Sequence, residues 1–237
     1  EASAVQWYRR ALDFDPEDAE LLVALEGALT VQMNWAELID VFERQIELAT
    51  GEDAKREKMW ALLELFELRL EEPDRAIGIC EDILEMNSTD TDALKCLKRL
   101  LTQRQRWYEL VDLYPRLLAE VDEIDAKASL YGELASIQME SLSDMEGATE
   151  TLRRLFELMP NDLDTVLILD EMYRETHRFD ELADLYQLHL EAVTSSEDID
   201  RACVTVAKLY IEQFEDPDRV RLSLEAELPR LSPLADG

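Results

Sequence analysis

The sequence predicts an all-α chain, a solenoid of short antiparallel helix pairs stacked one on the next. Three observations carry this. Strong helix formers dominate the 237 residues, whereas Gly (6) and Pro (7) are scarce. The chain repeats itself at a fixed interval. Within each repeat the apolar residues step by three and four, as in Leu21, Leu22, Leu25, Ala28 and Leu29, which form one face of a helix. Runs rich in Val, Ile and Thr with alternating polarity are absent, so no strand is predicted.

The interval is 72 residues. Trp35, Trp107 and Phe179 keep it, and so do Leu38, Leu110 and Leu182, and Phe42, Tyr114 and Tyr186. Further series run through Ala4, Ala76, Ala148 and Val220, through Leu25, Leu97 and Leu169, and through Leu29, Leu101 and Tyr173. Each 72-residue unit is double, alternating spacings of 34 and 38 residues. A helix pair of that length cannot bury its apolar face alone, so neighbours stack into a continuous core.

In chain order, the first helix spans about 2–14 and stops before Pro16. The second, at about 17–33, carries the leucines named above, and Trp35 opens the third at 35–50. A helix at 54–71 holds Trp60 and Leu63, and Pro73 separates it from one at 74–87. Thr89 and Asp90 are N-cap candidates for 90–105. Trp107 opens 107–122, where Pro115 should kink the helix or mark a late start. Helices at 126–142 and 144–158 follow, then Pro160 and the N-cap candidates Asn161 and Asp162 lead into 162–177. Phe179 opens 179–194, and the last two helices are 198–214 and 216–228, with Pro217 near their junction. This gives about six pairs after an unpaired N-terminal helix, a single array over 1–228 and an irregular tail at 229–237. The recurring aromatics Trp35, Trp107 and Phe179 are expected in the core.

Several residues match a known repeat motif. In the second helix of the pair, Ala4, Tyr8, Ala11 and Pro16 fit the pattern small, aromatic, small, proline completely. Ala148, Leu152, Leu155 and Pro160 fit with apolar substitutions, and Ala76, Cys80, Ile83 and Ser88 fit more loosely. In the first helix, Trp60 and Leu63 match the start of W-x2-L-G-x2-Y, and Val166, Leu169 and Tyr173 match its frame. Together with the 34-residue spacing, the set resembles the tetratricopeptide repeat (TPR), in a divergent form. Glu26, Lys98 and Asp170 replace the motif Gly, which predicts looser or differently angled helix packing. The resemblance implies a right-handed superhelix whose concave face, lined by the first helices, binds a peptide or protein. It also implies that the opening helix, of the second type, lacks its partner. Trp7, Tyr8 and Leu12 then need cover from an upstream helix or a binding partner.

Charge narrows the function. With 55 acidic and 24 basic residues the formal net charge is −31, which argues against nucleic-acid binding and against an anionic membrane surface. A basic partner or a solvated acidic surface both fit. Lys is rare (6) beside Arg (18), which also fits a saline cytoplasm. No apolar run approaches the length of a membrane span. Cys80, Cys96 and Cys203 form no C-x-x-C pair, so free buried thiols in a reducing, cytoplasmic setting are expected.

Candidate binding residues follow from helix geometry. In the helix near 90–105, Asp92, Lys95, Arg99 and Gln103 face away from the packing leucines, and the last three step by four into one polar stripe. A basic stripe in so acidic a chain suggests an anchor for a carboxylate or acidic peptide, against the ordinary reading of a solvated face with local ion pairs. Glu133 and Ile137 on the helix near 126–142, Asp164, Glu171, Arg174 and Glu175 on that near 162–177, and Val23 and Gly27 near the start continue the predicted groove. Trp60 and Tyr131 are weaker anchor candidates. Asn34, Asn87 and Asn161 all fall in turns, so a terminal-carboxylate clamp built on asparagine is not expected. "DFDPED" from Asp13 and "NSTDTD" from Asn87 superficially resemble calcium loops but lack the Gly and Glu such loops need. With only His177 and His189, no phosphate loop and no nucleophile motif, no metal, cofactor or catalytic role is expected. The reading is a non-enzymatic scaffold for a protein or peptide. The alternative is a self-associating structural or regulatory segment of a larger repeat protein.

Overall fold

A computed structural model describes residues 2–193, Ile199, 203–205 and Lys208. The chain divides into two compact units, residues 1–120 and 121–237. The first holds α1 (Ala2–Leu12), α2 (Ala19–Gln32), α3 (Trp35–Leu48), α4 (Glu52–Leu68), α5 (Pro73–Met86), α6 (Thr91–Gln103) and α7 (Trp107–Ala119). The second holds α8 (Ile124–Ser136), a π-helical turn (Ile137–Ser141), α9 (Met145–Leu158), α10 (Leu163–Glu175) and α11 (Phe179–Ala192). Within each unit every helix packs on its neighbours in the chain, and among the described residues there is no strand. The fold class is all-α, in stacked helix pairs.

Local chemistry sets the helix ends, and it recurs at the repeat interval. Asp18, Asp90 and Asp162, 72 residues apart, are extended N-cap residues of α2, α6 and α10. Each carboxylate accepts from backbone N–H groups of the first turn that have no partner inside the helix. At the opposite ends, Met33, Gln105 and His177 adopt the left-handed conformation, with φ of 55°, 56° and 57°. This bends the chain back so that Asn34, Arg106 and Arg178 donate their N–H to the carbonyls of Leu29, Leu101 and Tyr173. Glu71 and Ser143 form a second left-handed series, and Glu72 and Asp144 then donate to the carbonyls of Phe66 and Gln138.

The core occupies the predicted positions. Leu25, Leu97 and Leu169 are buried, as are Leu29, Leu101 and Tyr173, Leu38, Leu110 and Leu182, and Phe42, Tyr114 and Tyr186. Ala76 and Ala148 are fully enclosed, where only a small side chain lets the helices of a pair close up.

Four expectations are corrected. Trp35, Trp107 and Phe179 are half-buried rather than enclosed, each being the first residue of its helix, and Phe179 packs against the core of its unit. Pro73 lies at the first position of α5, where its missing N–H has no bond to lose. Pro115 marks no late start: α7 runs through it from Trp107, with Leu113, Tyr114 and Leu117 buried and Pro115 itself exposed. Of the cap candidates, Asp90 and Asp162 cap whereas Thr89 and Asn161 precede them in the turn. The predicted helices at 198–214 and 216–228, the Val220 copy and the tail at 229–237 lie outside the described residues, apart from Ile199, 203–205 and Lys208.

The residues that replace the motif Gly make polar contacts between helices. Glu26 accepts from Gln45 Nε2 on α3 and Lys58 Nζ on α4, each at 2.9 Å. Lys98 places its ammonium 5.6 Å from the centre of the Tyr114 ring on α7. Asp170 stands beside the Tyr186 hydroxyl on α11; burial first, and then this carboxylate, push the phenol well above its usual range. All three are half-buried, so the helices leave room for a polar pair where the motif places a bare backbone.

Candidate protein-binding surface

The α6 helix buries Ala93, Leu94, Cys96, Leu97, Leu100 and Leu101. Its periodicity therefore turns Asp92, Lys95, Arg99 and Gln103 outward, and all four are exposed. The structure brings these four predicted residues onto one stripe. Their charges are partly answered from α4. Arg56 Nη2 donates to Asp92 at 3.0 Å and also grips the capping Asp90. Arg99 binds Glu67 through both terminal nitrogens, one of them at 2.9 Å. The stripe is thus a ladder of ion pairs with exposed Lys95 between the rungs, rather than a run of uncompensated cations.

Arg56 anchors the ladder's first rung. Its guanidinium lies 5.6 Å from the centre of the Trp60 ring. The hydrogen bond from Arg56, aided by the N–H groups of Ala93 and Asp92 against the cost of burial, holds the Asp90 carboxyl below its ordinary range.

On the other side of α4 lies an apolar hollow of about 260 Å³, lined by Ala19, Leu22 and Val23 of α2, Gln45 and Leu48 of α3, and Ala54, Glu57 and Lys58 of α4. Val23, a predicted groove residue, is 56 % exposed there. Gln45 Oε1 is buried without a hydrogen-bond partner. Gly27 is exposed on the same helix.

The remaining predicted residues lie in the second unit. Glu133 is exposed on α8, and Glu171 and Arg174 are exposed on α10. Arg174 Nε donates to Asp170 at 2.8 Å along its own helix. A hollow in this unit is lined by Met145, Thr149, Met172, Glu175, Thr176 and Arg178; of the predicted groove residues Glu175 lines it, whereas Glu133, Glu171 and Arg174 do not.

Sequence reasoning missed Arg56 and Glu67, the α4 partners of the stripe. The signal was available: Arg56 and Asp90 are 34 residues apart, one short repeat, and Glu67 and Arg99 are 32 apart. Side chains one repeat apart on adjacent first helices are neighbours in a stack. The two acidic loops are resolved as caps, since Asp18 and Asp90 each spend a carboxylate oxygen on a helix N-terminus. Among the described residues, no group of three or more His, Cys, Asp or Glu is placed to hold a metal ion, and no helix is long and apolar enough to cross a membrane.

No protein-family model matches the chain, and no curated protein sequence matches it. Among solved structures, the chain is similar to YrrB, described as a TPR protein with an unusual peptide-binding site. The identity is 17 %, covering 70 % of this chain and 82 % of that one, with a TM-score of 0.40. A TPR protein from Parabacteroides merdae ATCC 43184 matches at 15 % identity over 94 % of this chain and 92 % of that one, TM-score 0.40. The protein MamA matches at 14 % identity over 81 % and 93 %, TM-score 0.37. The TPR-like character of the present chain rests on its own helix pairs, its repeat spacing and the enclosed Ala76 and Ala148.

Proposed function

We propose that this chain is a non-catalytic scaffold that holds a peptide segment of a protein partner against the first helices of its pairs. The observation that carries the reading is the exposed α6 stripe of Asp92, Lys95, Arg99 and Gln103, separated only by α4 from an apolar hollow. An apolar side chain seated beside Val23 and Leu48 would gain about 1.5–3 kcal/mol from burial. Lys95 would pair with a carboxylate of the same segment, and Gln103 would meet its backbone. Within the second unit, Glu133, Glu171 and Arg174 would offer polar contacts of their own to a partner. The acidity of the chain favours a protein over a nucleic acid as partner.

Peptide display against the full chain tests this. Selected peptides are expected to share an apolar residue and an acidic residue, and to bind at least tenfold more weakly to Val23→Asp and to Lys95→Glu/Arg99→Glu. Peptides whose affinity neither variant changes would sink the reading. A second reading, self-association, is favoured by α1 and the turn after it, where Trp7 is 67 % and Phe14 is 91 % exposed. Sedimentation over a range of concentrations decides it, since a constant monomer mass removes it.

A further inference from the structure

The α5–α6 hairpin encloses a pair of thiols that the scaffold role does not use. Cys80 on α5 is fully buried and Cys96 on α6 is 8 % exposed. Both are free, and they lie close enough across the packed helices α5 and α6 to influence each other. A third group joins them from the surface. Arg99 Nη2 lies 3.4 Å from the Cys96 sulfur, while the same guanidinium is fixed by Glu67. The Arg99 side chain is 45 % exposed, so it reaches from solvent to the sulfur.

This setting separates the two thiols chemically. The neighbouring Cys80 thiol and the positive charge of Arg99, 3.4 Å from the sulfur, hold the Cys96 thiol below its ordinary range, against the cost of burial. The neighbouring Cys96 and then burial push Cys80 up. One sulfur is readied as a nucleophile and the other waits with its proton. In the second unit the corresponding repeat positions are Leu152, which is buried, and Ile168, which is 39 % exposed, so neither thiol recurs there.

We propose that Cys96 and Cys80 form an oxidation site for hydrogen peroxide, closing a disulfide between α5 and α6. The Cys96 thiolate attacks one peroxide oxygen; an S–O bond forms, the O–O bond breaks, and the departing hydroxide takes a proton to become water. The resulting sulfenic acid is attacked by Cys80. An S–S bond forms, the S–O bond breaks, and the leaving hydroxide takes the Cys80 proton as a second water. The two sulfurs lose two electrons and the peroxide gains them. Because Arg99 belongs to the exposed stripe, oxidation changes the charge setting of that stripe.

The full chain, treated with hydrogen peroxide and then alkylated, is mapped by mass spectrometry. A Cys80–Cys96 linked peptide forming within one chain, ahead of any modification of Cys203, is expected. The Cys80→Ser variant should instead accumulate dimedone-reactive sulfenic acid at Cys96. Arg99→Gln should slow iodoacetamide alkylation of Cys96 at neutral pH by about threefold to tenfold, leaving Cys203 unchanged. Oxidation of Cys203 first, links only between chains, or over-oxidation of Cys96 without a link to Cys80 would each overturn the proposal.

Discussion

Hairpins α4–α5 and α8–α9 occupy the same place in successive 72-residue repeats, so Phe66 corresponds to Gln138 and Arg75 to Gly147. Their backbones turn alike: Glu71 and Ser143 are left-handed, and the next residues donate to the carbonyls of Phe66 and Gln138 at 2.8 and 2.7 Å. Their side chains do not. In the first unit Phe66 is buried and the Arg75 guanidinium lies 4.0 Å from its ring centre. In the second, Gln138 is buried and accepts from the Thr151 hydroxyl at 2.7 Å, while Asp144 caps α9 through the Gly147 N–H at 3.0 Å. The last turn of α8 relaxes into the π-helical turn, which α4 lacks. One backbone turn thus accommodates either hydrocarbon under a cation or a buried amide, but the amide version leaves no room at residue 147.

That difference is broken most directly at Gly147. A Cβ there would stand 2.2 Å from Asp144 Oδ2 and 2.8 Å from Gln138 Nε2, so the cap and the buried amide would both have to shift. Gly147→Ala should lose about 1–2 kcal/mol, the cap and amide outweighing the ~1 kcal/mol gain in helix propensity. Arg75→Ala, at the matching position, should lose about 0.5–1 kcal/mol as an exposed cation–π contact. Urea denaturation of both variants measures the contrast. A more stable Gly147→Ala chain would mean that the amide site is not built around the missing side chain.

The left-handed turns sharpen the comparison in the opposite direction. Met33, Gln105 and His177 hold a conformation that costs a side-chain-bearing residue about 1–2 kcal/mol, while Gly returns ~0.5–1 kcal/mol as unfolded-chain entropy. Met33→Gly and Gln105→Gly should therefore each raise stability by about 0.5–1 kcal/mol. His177→Gly should gain less, because it also loses a ring contact with Phe179, whose centroid is 5.9 Å away. Thermal unfolding of the three single variants ranks them. A loss in the first two would show that their side chains contribute more than the backbone strain removes.

These same residues show what the sequence could and could not convey. The repeat was legible because buried leucines and alanines must recur wherever a pair packs on the next, as Leu38, Leu110 and Leu182 do. The exposed stripe on α6 was legible from the same periodicity, as its complement. Its pairing was not, because Arg56 and Glu67 come from another helix and only the stack brings them across. Gly147 was also hidden: its necessity depends on Gln138 and Asp144, and Gln138 is polar where its counterpart Phe66 is not. The turn residues escaped notice because none of the five left-handed positions among the described residues is Gly.

The smallest expected effect separates the three repeated caps. Asp18, Asp90 and Asp162 do the same work for the backbone, but among the described residues only Asp90 pairs with an arginine. Arg56 holds the Asp90 carboxyl below its ordinary range when folded. A depressed carboxyl contributes stability that is fully present above its unfolded value, about pH 4, and is lost as pH falls through the lower folded value. Acidification below about pH 4 should therefore destabilise the wild-type chain more steeply than Arg56→Met, so that the two curves converge at low pH. The effect is modest because the Arg56 side chain is 37 % exposed and solvent screens it. Arg56 also rests on Trp60, and a packing role would behave differently. Met keeps much of the stem on the ring, and any loss from packing is independent of pH. Parallel stability curves for the two chains, displaced by a constant amount, would assign Arg56 to Trp60 rather than to Asp90.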